Sequence, residues 1–288
     1  MAHTHDGMDW TARIAEMRRT DALEAEVNGL VADRLVDPLP AGATVVDVGS
    51  GSGGMAAAFA AALAVRDGGR VVLVDATPAL LTAAVDALRE AAGDKVETVA
   101  VEFDAADDGL VDAVPAADLV WASRVVHHLP DERAGVERLA GLVRSGGTLA
   151  LVEGGLGKRC LPWDIGIGRP GLEERLHAAR AEWFTRMRGG MEGVVRAGVG
   201  WNRLLADAGL SDVRSFSYLV DLPAPGSPEL RRFVADYLDW ISGMAAEFLT
   251  EDDLATVARL IDPNGPDWVG NRDDVFILAA STVHLGTR

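Results

Sequence analysis

The stretch TVVDVGSGSGG, residues 44–54, decides how the rest of the chain is read. A β-branched run ends in Asp47, and glycines follow at positions 49, 51, 53 and 54. This is a strand passing into a helix through a turn that tolerates positive φ and a close backbone approach. Two spacings fit it at once. Gly49, Gly51 and Gly54 give G-x-G-x-x-G, whereas Asp47, Gly49, Gly51 and Gly53 give D-x-G-x-G-x-G. Either turn offers a nucleotide-like ligand the positive end of a helix, so the neighbouring residues must decide.

Working outward, short apolar runs alternate with helical ones. ATVVDVG (43–49), RVVLVDA (70–76), VETVAVEF (96–103), ADLVWASRV (117–125) and GTLALVEG (147–154) read as parallel strands buried on both faces. Helices are expected at 55–65, 79–92 and 131–143, the last opening after Pro130. The alternation predicts an α/β fold: a doubly wound, Rossmann-like sheet with right-handed crossovers. Beyond residue 155 the rhythm breaks into helical and loop-rich stretches, with strands at 213–222 and 273–285. Those two suit an antiparallel ending to a seven-stranded sheet. The expected organisation is an N-terminal helical cap, 1–38, and a main domain, 39–288, with lid insertions at about 156–200 and 223–272. In the cap, Ile14, Met17, Leu23, Val27, Leu30, Val31 and Leu35 form one helical stripe.

Composition narrows the function classes. The 288 residues are 49% apolar, enough for a large core, and carry a net charge of −17. With 44 acidic against 27 basic residues, no basic face is expected for nucleic acid or for an anionic membrane. No targeting signal or membrane-length apolar run is read in the sequence. The single cysteine, Cys160, excludes an internal disulfide and suits a reducing, cytoplasmic setting. Its place beside Leu161 and Pro162 reads as packing. No Cys, His and carboxylate grouping has metal-ligand spacing, so no metal is expected.

Four neighbours bear on the glycine turn. Asp47 puts a carboxylate where a dinucleotide turn usually stays apolar. A ligand with an amino group and a sulfonium favours that charge; a pyrophosphate does not. Asp75, closing the next strand, can accept both hydroxyls of a ribose in either case. Asp104, after the third strand, can accept an exocyclic amino group of adenine. The fourth strand brings small and polar residues to the carboxyl edge of the sheet, where open α/β sheets bind ligands.

As an ordered set, VVDVGSGSGG, VVLVDA, FDAADD, DLVWASRVVHHLPD and LVRSGGTLALVEGG resemble the class I methyltransferases that use S-adenosyl-L-methionine (SAM). Within them, HHLPD after the fourth strand looks like the small-molecule, specialised-metabolite enzymes. The resemblance covers about residues 40–155 and is silent on the segments that choose a substrate. It implies that Gly49, Ser50 and Gly51 meet the amino-acid end of SAM and that Asp47 orients the turn. Asp75 with Ala76 would hold the ribose, and Asp104 with Ala105 the adenine. Ser123 or Arg124 would flank the methyl, with S-adenosyl-L-homocysteine (SAH) as product.

His127 and His128 are the candidate bases, because histidine titrates near neutrality and both follow the strand carrying Ser123. Arg124 could orient an acceptor, or pair with Asp131 or Glu153. His177 reads as solvated on a charged helix face, His284 ends the last strand, and His3 and His5 lie in a tail. Aromatics gather in the C-terminal half, and Trp163, Tyr218 and Trp240 are taken as contacts for a small, planar acceptor such as a phenol or indole. CLPWDIGIGRPG (160–171) is the candidate mobile gate, and RRFVADYLDWISGMAAEFL could instead serve a homodimer. Two alternatives stand: a SAM-binding protein of this fold with a non-methylating role such as cyclisation, and an NAD-dependent oxidoreductase.

Overall fold

The computed structural model describes residues 10–288; His3, His5 and the start of the 1–38 cap lie outside them. Two compact units emerge: residues 10–154 with 195–218 and 281–288, and residues 155–194 with 219–280.

Two N-terminal helices, α1 (Trp10–Leu23) and α2 (Ala25–Val36), precede β1 (Thr44–Val48). The chain then alternates through α3 (Gly54–Ala64), β2 (Gly69–Asp75), α4 (Pro78–Ala92), β3 (Val96–Glu102) and the single turn α5 (Leu110–Ala113). Next come β4 (Ala117–Ser123), α6 (Glu132–Gly141), β5 (Val143–Arg159), α7 (Leu172–Gly189), α8 (Trp201–Asp207) and β6 (Ser211–Leu222). The helices α9 (Pro228–Met244) and α10 (Glu251–Ile261) lead to β7 (Ile277–Thr287).

The sheet order is β3-β2-β1-β4-β5-β7-β6, and the first five strands run parallel. The ending is antiparallel. Arg288 N–H donates to the Gly147 carbonyl while His284 reaches the Glu153 carbonyl, so β7 descends as β5 ascends. Ser217–Thr282 and Ser211–Thr287 contacts show the same reversal between β6 and β7. Crossovers leave β1 in opposite directions, so β1 and β4 flank the topological switch point.

Alternate strand residues face opposite helix layers. Val45, Leu119 and Trp121 pack under α2, α3 and α4; Val46, Val120 and Leu149 pack under α5, α6 and α8. The Ala-rich sequence of α3 brings it close to the sheet, with Phe59 meeting Trp121 edge-on at 5.5 Å. Caps follow sequence chemistry: Asp131 accepts from Ala134 N–H at α6, Ser227 from Leu230 N–H at α9, and Thr250 from Asp253 N–H at α10.

Four expectations change. The N-terminal stripe is broken at Glu24 between α1 and α2, which leaves Leu30 64% exposed and no buried residue on α1. β5 begins at Val143, not 147, because Ala117 pairs Val143 and a bulge through Gly146 (φ 79°) loops out the residues between. β7 starts later than 273, since Arg272 holds the Asp274 carboxylate at 2.7 and 2.8 Å in a local turn. In the second unit, the apolar stripe of α9 packs against α7 and α10, so it is used within the chain.

The second unit also holds buried polar groups. Glu173 accepts from the Cys160 and Leu161 N–H groups and from the Cys160 thiol, whose pKa burial and that carboxylate push well up. His177 is half-buried, not solvated: it meets the Tyr237 hydroxyl at 3.3 Å, and burial lowers its pKa. The 160–171 loop is clamped by Arg175, which donates to the carbonyls of Arg169, Pro170 and Gly171 while pairing with buried Asp253. No helix among the described residues is long and apolar enough to cross a membrane.

Candidate active site at the glycine turn

The turn after β1 has the left-handed backbone its glycines allow, with φ of 70° at Gly49, 53° at Gly51 and 91° at Gly53. A side chain at Gly49 would strike Val125, and one at Gly53 would lie 2.5 Å from the Ala84 Cα of α4. Gly49 and Ser50 N–H groups bond back to the Val74 carbonyl. Gly51 N–H instead donates to the Asp75 carboxylate at 3.1 Å, and Thr77 N–H takes the other oxygen at 2.9 Å. Asp75 therefore joins the glycine turn to the end of β2, half-buried.

Two more carboxylates surround this turn. Asp47 is 3% exposed, and burial pushes it up to about 7, with Asp75 and Asp21 adding to the shift. Asp21 comes from α1 and accepts from the Ser52 hydroxyl at 2.5 Å. Burial raises its pKa as well, against its hydrogen bonds to Ser52 and Gly54. Met17 of α1 lies against Gly51, 2.8 Å from where a Cβ would stand. The amino end of α3 is thus already served by a carboxylate, in a turn ringed by acids. A pyrophosphate would bring its negative charge against three acids, raising their pKa values further, whereas an ammonium or a sulfonium favours their ionised forms. Ser50 Oγ is buried without a hydrogen-bond partner, an orphan hydroxyl of the kind a bound ligand satisfies. The residues present therefore fit SAM.

Asp104 lies just past β3 and accepts from Ala106 N–H at 2.8 Å, which fixes the Asp104–Ala106 turn with Ala105 half-buried. Ala76 is exposed beside Asp75. Ser123 ends β4 across the switch point, and Arg124 follows with φ 58°. Arg124 pairs with neither expected acid. It reaches the Ser281 hydroxyl at 3.5 Å, and Ser281 also bonds to Tyr218, which burial holds above its usual pKa. Asp131 is committed to the α6 cap, and Glu153 to a histidine.

That histidine is His127. Its Nδ1 lies 2.6 Å from Glu153 Oε2, and Glu153, only 3% exposed, also accepts from the Val126 and His127 N–H groups. His128 lies beside it, ring centres 4.0 Å apart and tilted by 44°, and is exposed. The pair thus divides: one ring is oriented by a buried carboxylate and the other faces solvent.

The turn, Asp47, Asp75, Asp104, Ser123, Arg124, His127 and Tyr218 all belong to the first unit. Trp163 and Trp240 belong to the second unit, 67% and 37% exposed, with Arg180 over the Trp240 ring. Asp21 and Glu153 join the site only in the folded chain. Glu153 carried the same signal as Asp75, an acid closing a buried strand, whereas Asp21 sits on a helix with no motif around it. Among the described residues, no three His, Cys, Asp or Glu side chains form a metal-holding group.

A family model described as a methyltransferase domain matches residues 46–149. No curated protein matches the chain in sequence. Among solved structures, a Bacillus halodurans C-125 protein described as a methyltransferase is 18% identical, with 90% of this chain and 97% of that one covered and a TM-score of 0.50. A Haloferax volcanii protein described as a methyltransferase, solved in complex with the Trm112 methyltransferase activator, is also 18% identical, over 97% of each chain, with a TM-score of 0.51. At such identity these likenesses concern the fold, while the family match spans the glycine turn, Asp75, Asp104 and the HHLPD segment. Residues 46–149 therefore carry a methyltransferase domain, set in the seven-stranded sheet of the class I, SAM-dependent fold.

Proposed function

We propose that this methyltransferase acts on an O, N or C nucleophile of a small, aromatic acceptor, phenol- or indole-like, of the kind met in natural-product biosynthesis. The observation that carries the reading is the His127–Glu153 pair at 2.6 Å, placed after the strand that bears Ser123. SAM supplies a methyl group on a sulfonium, strongly electrophilic and displaced in line. The chain's task is then to hold the acceptor in register, worth on the order of 7–11 kcal/mol when done well, and to take up its proton. A free amine needs little help there; a hydroxyl or an indole N–H needs a base. With Nδ1 donating to Glu153, Nε2 is the accepting nitrogen of the ring, and the buried carboxylate stabilises the imidazolium that results.

In this reading Gly49, Ser50 and Gly51 hold the amino-acid end of SAM, Asp47 orients the turn, Asp75 with Ala76 takes the ribose, and Asp104 with Ala105 the adenine. His127 is the base, His128 a lesser candidate. Ser123 and Arg124 flank the acceptor, with Arg124 steadied through Ser281 by Tyr218. Trp163, Tyr218 and Trp240 are proposed acceptor contacts on the chemistry of their rings. The net charge of −17 disfavours nucleic acid as acceptor. A cytoplasmic location, supported by the single buried thiol, belongs to the same proposal.

Transfer of labelled methyl from SAM to phenols, indoles and amines tests it. Phenols or indoles should be methylated. His127→Ala and Glu153→Gln should lower kcat by roughly 10²–10⁴ with SAM affinity kept, while His128→Ala changes little. Transfer to amines alone, at rates indifferent to His127, would overturn the proposal.

A further inference from the structure

A cavity of about 240 Å³ opens in the first unit at the amino-terminal edge of the parallel strands. Leu119 and its register partner Thr148 mark that edge, whereas the glycine turn leaves the opposite, carboxyl one. Arg34 of α2, Arg214 and Phe216 of β6, and Leu285 of β7 complete the wall.

The two arginines set this cavity apart. The Arg34 guanidinium carbon lies over the Phe216 ring, 3.8 Å from its centre, and Arg214 donates to the Asp212 carbonyl at 3.2 Å. Among the described residues neither forms an ion pair, and no carboxylate lines the cavity. Other arginines of this acidic chain, such as Arg66, Arg70 and Arg133, do pair with acids. The Phe216 ring occupies one side of the Arg34 guanidinium and leaves donors for a planar anion. The floor is apolar, with Leu119 and Leu285 buried in the core, and Thr148 adds a hydroxyl. The volume, about 240 Å³, falls below the roughly 300–1,000 Å³ of sites for drug-sized molecules and suits a small ligand.

We propose that this cavity binds a small amphipathic carboxylate, its planar apolar body on the leucines and its anionic head between Arg34 and Arg214. Lying at the opposite edge of the sheet, it is separate from the methyl-transfer centre. The inference does not depend on which acceptor that centre methylates.

The test is calorimetric titration of the full chain with benzoate, against benzamide and inorganic phosphate, with and without saturating SAH. Benzoate should bind saturably, indifferent to SAH, and roughly tenfold or more tighter than either control. Arg34→Gln and Arg214→Gln should each weaken it by roughly tenfold, the loss of one charged hydrogen-bonding partner, and leave SAH binding as it was. No saturable binding, equal binding of phosphate, insensitivity to both substitutions, or competition by SAH would each overturn the proposal. Should a variant melt early, amide shifts of the unaltered protein decide: perturbation around Arg34, Thr148 and Arg214 supports the site, and perturbation only elsewhere refutes it.

Discussion

Burial pushes the Asp47 carboxyl up to about 7, and the charges of Asp75 and Asp21 add to the shift. In the unfolded chain the same group titrates near 3.8. Between those values the folded, ligand-free protein keeps a proton that the unfolded chain has lost. Its stability therefore falls as pH rises from about 4 to about 7 and levels off above, by an amount on the order of 4 kcal/mol. Asp47→Asn should flatten that part of the melting-temperature profile; an unchanged slope would place the titration elsewhere. A cationic ligand reverses the balance, so SAM binding near pH 6.5 should release about one proton, read from the buffer dependence of the binding enthalpy. Asp75 ties the turn to β2, and in the proposed reading it also takes the ribose. Asp75→Ala should weaken SAM by about 1–3 kcal/mol and lower the melting temperature as Gly51 and Thr77 lose their acceptor.

At the scale of elements, the parallel half of the sheet was legible because buried parallel strands are nearly continuous apolar runs. TVVDV and ADLVWAS announce themselves, and the carboxyl edge that they build follows from order alone. What escaped was set by contacts distant in sequence. The bulge before Thr148 exists because Ala117 pairs Val143, and the break at Glu24 turns Leu30 outward from a stripe that looked continuous. Glu153 was visible as an acid ending a strand, but its partner depended on how the turn at Val126–His128 folds back. The glycine turn is strict at Gly49: Gly49→Ala combines a left-handed φ with a collision at Val125 and should abolish SAH binding along with stability. In the second unit, Arg175→Ala strands the buried Asp253 carboxylate. It should cost about 3–5 kcal/mol and open the 160–171 loop to proteolysis, while a resistant loop would show that the clamp is dispensable.

For the whole molecule, the first unit holds the matched methyltransferase domain and the acids around the glycine turn. The sequence is least informative in the second unit, where Trp163 and Trp240 lie and where no motif marks an acceptor. SAH at about 100 times its Kd should stabilise the chain by about 2.7 kcal/mol. The central claim is that three carboxylates around the glycine turn select an adenosyl cation over a pyrophosphate. Side-by-side calorimetry with SAM, SAH and NADH tests it most directly. Micromolar binding of both adenosyl ligands, weakened in Asp75→Ala, with no heat from NADH, is the result the account predicts. Binding of NADH with none of SAM would contradict it.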